Sequence, residues 1–161
     1  MKRIGWKQFV VLGAWFWVAA SAWAGGADAY RVTYTSKDDF DTVKSAVMDA
    51  ITSKGLVINT TSHISEMLER TGKDLGNAKP VFMQAESLEF CSATVSRMTM
   101  EADPHNIVFC PYVVAIYVLP NEPKKTYVSF RKPIPVGSKA SRASLNEVEK
   151  LLRSIIEEAI R

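Results

Sequence analysis

The sequence predicts an α+β fold, a two-layer sandwich whose mostly antiparallel sheet carries helices packed on one face. Three observations lead there. Strand-like and helix-like segments follow one another as strand, helix, strand, helix, strand, helix, strand, strand, helix. Tyr112 to Leu119 is continuously apolar and rich in β-branched residues, as a buried central strand requires. Leu145, Val148, Leu151, Leu152, Ile155, Ile156 and Ala159 form one apolar helical stripe, wide enough to cover a sheet.

The elements follow in order. Tyr30 to Thr35 alternates and is rich in strand formers. Ser36 and Asp39 give a helix-start signal, Phe40, Val43, Val47, Ala50 and Ile51 recur at helical spacing, and Gly55 stands where that helix ends. Leu56 to Thr60 is a second strand, and His63 to Arg70 a short helix broken by Gly72 and Gly76. Val81 to Ala85 is predicted as a third strand. Cys91 to Ala102 is predicted as a helix that Asp103-Pro104 stops. Pro120 to Pro123 is a turn, and Thr126 to Arg131 alternates as the antiparallel partner of the central strand. Ser138 to Ser144 is polar and predicted as a loose connection. Ser144 with Glu147 makes a capping box for the last helix.

The start of the chain has the pattern of an export signal. Lys2, Arg3 and Lys7 precede an apolar run from Phe9 to Ala20, and Ala22-Trp23-Ala24 offers a small-x-small cleavage site, with Ala27-Asp28-Ala29 as a second. The alternative is a retained anchor, but Phe9 to Ala24 is 16 residues, and a spanning helix needs about 20. We therefore expect residues 1–24 to be removed and residues 25–161 to form one domain in the periplasm or outside the cell, with no stable membrane span. The full chain has 20 basic and 17 acidic residues. Lys2, Arg3 and Lys7 depart with the signal, so the mature chain balances at 17 of each, and no basic excess points to nucleic acid. All four tryptophans, Trp6, Trp15, Trp17 and Trp23, depart too.

Several stretches together resemble the family catalogued as domain of unknown function 302. Phe40-Asp41-Thr42-Val43 through Lys54-Gly55-Leu56-Val57 is similar to its opening helix and following strand, and Ser62-His63-Ile64 to the start of its second helix. Cys91 stands where members often carry Cys-Asn-Pro or Gly-Asn-Pro. Pro111 to Tyr117 resembles its Pro-Cys-x-Val-x-Val-Tyr strand, and Tyr127 to Phe130 its last hairpin strand. The likeness runs from about Tyr30 to Ile160. It implies a small two-layer α/β domain and brings no agreed activity. Two departures stand out: Ser92-Ala93 replaces Asn-Pro, and Tyr112 occupies the family's second cysteine position, with Cys110 two residues earlier.

The chemistry centres on Cys91 and Cys110, the only cysteines. They are not a Cys-x-x-Cys pair, which argues against a thioredoxin-like enzyme. In an oxidising compartment they are candidates for a disulfide that closes a loop of 20 residues. Buried free thiols, or a reactive thiol at a helix N-terminus, are the alternatives. Soft-metal binding would draw on Met98, which a helical wheel at about 100° per residue places about 20° from Cys91. His63 and Met67, four apart, are the pair a non-covalent haem would use. The bland reading of both sets is packing or a solvated surface. His105 reads as a solvated loop residue, and Glu86, Glu89 and Glu101 as solvated charges. No nucleophile elbow, phosphate loop or dinucleotide fingerprint occurs.

The sequence thus predicts an exported domain that binds a small ligand or a periplasmic partner protein, without identifiable catalysis or a cofactor. The candidate ligand residues are His63, Cys91, Cys110 and Tyr112. The runner-up is a thiol-redox or soft-metal protein, with copper or haem on Cys91, Met98, Cys110, His63 and Met67. A homodimer is compatible with either.

Overall fold

The computed structural model describes residues 29–161 apart from residue 78. The predicted signal segment, residues 1–24, lies outside the described residues. Among the described residues no helix is long and apolar enough to cross a membrane.

Five strands form one sheet: β1 (Arg31–Ser36), β2 (Val57–Ser62), β3 (Gln84–Cys91), β4 (Tyr112–Val118) and β5 (Thr126–Arg131). Their order is β1-β5-β4-β3-β2, and every neighbouring pair is antiparallel. The helices are α1 (Phe40–Ser53), α2 (Ile64–Asp74), α3 (Ala93–Ala102) and α4 (Lys139–Ala159), with a 3₁₀ turn over Pro104–Phe109. This is the predicted α+β architecture.

The even-numbered residues of β3, β4 and β5 face the core. Leu88, Phe90, Val114, Ile116, Val128 and Phe130 are buried there against Phe40, Val43, Val47 and Ile51 of α1 and Val148, Leu152, Ile155 and Ile156 of α4. The other face carries Thr33, Ser87, Ala115, Tyr117, Tyr127 and Ser129; there the Tyr117 and Tyr127 rings stack with centroids 5.1 Å apart. A one-face core of this kind needs a stripe on the covering helices, which the sequence has, and alternation on the strands, which β5 shows while β4 is apolar throughout. Asp39 caps α1 by accepting from Thr42 N–H at 3.0 Å, and Gly55 ends it at φ +71°, a conformation that suits glycine.

Three boundaries differ from expectation. The third strand is Gln84–Cys91 rather than Val81 to Ala85. Pairing with the apolar β4 selects Gln84-Ala-Glu-Ser-Leu-Glu-Phe-Cys91 despite its two glutamates, so tertiary context overrides local preference. Cys91 therefore ends a strand and does not start a helix; Ser92 caps α3 instead. Third, α4 begins at Lys139 under a Ser138 cap, and Ser144 lies inside it, its Oγ donating to Ser141 C=O at 2.8 Å. The polar Ser138–Ser144 stretch misled because Ser141 and Ser144 are buried. Ser141 Oγ meets Asn106 Nδ2 at 3.0 Å, and the same amide nitrogen donates to Thr99 C=O at 3.0 Å. One side chain thereby ties α3, the 3₁₀ turn and α4 together.

Helix α2 also runs past Gly72, to Asp74. A Cβ on Gly72 would stand 2.6 Å from Asn77 C=O, so the chain's close return explains the glycine there.

Candidate functional site

Two polar clusters stand on β3, at opposite ends. Cys91, where β3 stops, lies against Cys110, the residue before β4 begins. Both are free thiols, partly buried, with sulfurs 2.7 Å apart. Ser96 Oγ of α3 is 3.8 Å from Cys110 Sγ and 3.2 Å from Tyr112 Oη. The Cys110–Pro111 peptide is cis. Three of the predicted site residues, Cys91, Cys110 and Tyr112, thus meet here, joined by Ser96, which sequence reasoning missed.

The thiol is not activated. Burial, then the hydrogen bond with Cys110, pushes the Cys91 thiol up from its ordinary 9.0 to about 11. The lowered value expected of a helix N-terminal cysteine fails because Cys91 belongs to the strand. Burial also raises the Tyr112 phenol. In the reduced protein the unfolded chain gives up the Cys91 proton near pH 9 while the folded chain holds it until about 11, so folding loses stability across that window. At pH 8, iodoacetamide should alkylate Cys91 of reduced, folded protein more than about tenfold slower than in urea, as mass spectrometry of quenched samples would read.

Met98 does not join the cysteines. Ser96 marks the face of α3 turned toward them, and two helical steps carry Met98 about 160° away from it; its side chain is exposed. The wheel that paired Met98 with Cys91 assumed a helix reaching back to Cys91.

The second cluster gathers Lys44 of α1, His63 at the start of α2, and Glu86 of β3. Glu86 projects to the core side, so it is not the solvated charge the sequence suggested. Its Oε2 lies 2.6 Å from Lys44 Nζ, and its Oε1 3.3 Å from His63 Nδ1. Oε2 is buried without an aligned donor, so Lys44 neutralises it by proximity more than by a directed hydrogen bond. Replacing Lys44 by methionine should cost about 1–3 kcal/mol in urea unfolding, since it leaves a carboxylate mostly buried. The additional change Glu86→Gln should recover part of that.

Glu86, which His63 meets, lies five residues along β3 from Cys91, about 16 Å at strand rise, so His63 and the cysteines stand at separate sites. Met67, one turn further along α2, is exposed. Nearby, Ser65 Oγ accepts from Ala85 N–H at 3.0 Å and donates to Ala85 C=O at 3.3 Å, capping the edge of β3 that β2 leaves uncovered. His105 and Glu101 are exposed, the latter paired with Arg97. Among the described residues no group of three or more His, Cys, Asp or Glu is placed to hold a metal ion.

Beside the cysteines opens a groove of about 370 Å³. Phe109 and Pro111, the neighbours of Cys110, form part of its wall with Tyr112 and Val113. Tyr30, Val108 and Ile134 form its rim, Val148 and Leu152 of α4 its base, and among the described residues Arg131 and Lys132 supply its charges. Val108 is 77% exposed, Tyr30 64% and Ile134 47%, a concentration of open apolar surface at one end of the sheet.

A five-stranded antiparallel sheet with helices packed on it, and a paired-cysteine corner at one end, defines a two-layer α+β domain. The family model described as "Domain of unknown function DUF302" matches residues 32–159, and the chain belongs to that family. Among solved structures it is similar to the crystal structure of an uncharacterized conserved DUF302 protein from Bacillus stearothermophilus. The two share 17% identity at a TM-score of 0.67, over 81% of this chain and 98% of that one, which is a likeness of fold. No curated protein matches the chain.

Proposed function

We propose that this protein is an exported binding domain that takes a small, largely apolar ligand into the groove between the start of β4, the end of β5 and α4. The groove carries the reading: its volume of about 370 Å³ is of ligand size, and its walls are mostly aliphatic and aromatic. Export rests on the charged start, apolar run and small-x-small site of residues 1–24. In the oxidising compartment that export implies, Cys91 and Cys110 form a disulfide that fixes the groove wall. The domain has no catalytic role in this reading.

The test uses the neutral probe N-phenyl-1-naphthylamine, whose fluorescence rises in apolar sites. The mature protein should bind it at one site, and Val108→Asp with Ile134→Asp should abolish the signal with the fold intact by circular dichroism. No enhancement, or enhancement unchanged in that variant, would reject the groove.

The adjacent sulfurs favour a second reading, thiol-redox or copper(I) binding on Cys91 and Cys110. Intact mass and metal content of protein taken from the periplasm separate the two. A mass two hydrogens short with no copper supports the bridge; two free thiols with copper supports the metal reading.

A further inference from the structure

Strand pairing sets Arg31 of β1 directly opposite Arg131 of β5. The next matched pair, Thr33 and Ser129, is joined by a hydroxyl hydrogen bond of 2.9 Å on the open face of the sheet. Two residues along each strand, the arginines return to that same face, and both are exposed. Like charges directly opposite on neighbouring strands repel. Among the described residues neither arginine takes part in an ion pair, nor does Lys132, the next residue of the chain. Among the described strand residues the one carboxylate on this face is Glu89 of β3, which pairs with Val113 and stands two strands from Arg131, about 10 Å away.

This cationic pair adjoins the apolar groove. A shallow depression lined by Arg31, Ala115 and Ser129 shares Val113 and Arg131 with it. Among the described residues neither depression has a carboxylate in its lining. The surface therefore runs from a greasy trough to two guanidinium groups whose repulsion an anion would relieve. Guanidinium binds carboxylate in a planar, two-pronged geometry.

Resting on the groove reading above, we infer that the ligand is an amphipathic carboxylic acid. Its aliphatic or aromatic body lies along Phe109, Tyr112 and Ile134, and its carboxylate is held by Arg131 and Arg31, with Lys132 at the rim. The arginines supply selectivity for the acid over the neutral analogue, and the groove supplies selectivity for the long acid over the short one.

Displacement of N-phenyl-1-naphthylamine by octanoate, octanol and acetate tests this, with Arg31→Gln/Arg131→Gln as the variant; both sites are exposed and tolerate the change. Octanoate should displace the dye at a concentration about tenfold or more below octanol, and acetate should displace none. In the double variant octanoate should fall to the level of octanol, while octanol stays unchanged. Dye binding with octanoate no better than octanol, or octanoate unaffected in the variant, overturns the acid and leaves the groove standing. Acetate as effective as octanoate overturns the joint site in favour of a bare anion site. Failure of the dye to bind at all rejects the groove itself.

Discussion

Replacing Phe90 with alanine should destabilise the domain by about 3–5 kcal/mol, the range for deleting a fully buried phenylalanine. Phe90 is 0% exposed. It belongs to the core cluster with residues of α1 and α4, near the end of β3, and its ring meets Tyr112 edge-to-face at 6.0 Å. Its loss leaves a cavity in a closely packed core, so a cavity term adds to the lost burial. A domain of this size has only about 5–15 kcal/mol to lose. The thermal midpoint should fall by roughly 10–20 °C. The matched control is Met98→Ala. Met98 is exposed on α3, so its loss should stay within about 0.5 kcal/mol. Similar losses for the two would mean that α3 is turned toward the cysteines through Met98 and that the core does not lie where Phe90 places it.

The double change Cys91→Ser/Cys110→Ser should cost about 3 kcal/mol relative to oxidised protein, if exported material carries the bridge proposed above. The loop from residue 91 to residue 110 spans 20 residues. Closing it removes that much chain entropy from the unfolded state in the loop-entropy account. Chemical unfolding of oxidised, reduced and double-variant protein reads the effect directly. Reduced protein should resemble the variant, and below pH 9 it should show no extra loss from Cys91, since that thiol stays protonated. Equal stability of oxidised and reduced protein would contradict the loop-entropy gain and with it a stabilising bridge at this corner. The bridge also bears on binding. Cys110 lies between Phe109 and Pro111, so a covalent tie to β3 would hold two groove residues in place and raise affinity by preorganisation.

Much of the fold was legible because its core is one-sided. Tyr112 to Val118 is a continuous apolar run, Leu145 to Ile156 carries a clear helical period, and Asp39 and Gly55 mark the ends of α1 as local chemistry demands. Strand β3 was misplaced because Glu86 and Glu89 look like surface, yet Glu86 turns inward to meet Lys44, a partner 42 residues earlier. The start of α4 was missed because buried serines look like a loop until Asn106 is beside them. The cysteine corner was half legible. Composition and the expectation of export brought Cys91 and Cys110 together, but a helical wheel drawn one element too early added Met98. His63 was grouped with the cysteines although β3 holds them apart. The arginine pair was invisible, because Arg31 and Arg131 lie 100 residues apart and only sheet register sets them side by side.

The most direct measurement is an amide NMR titration of the ¹⁵N-labelled mature protein with octanoate. Binding in the groove should move the resonances of Val108, Phe109, Val113, Arg131, Ile134 and Leu152 together in one saturable process, leaving His63 and Glu86 still. Shifts centred on the His63 and Glu86 end of β3, or shifts that never saturate, would contradict it.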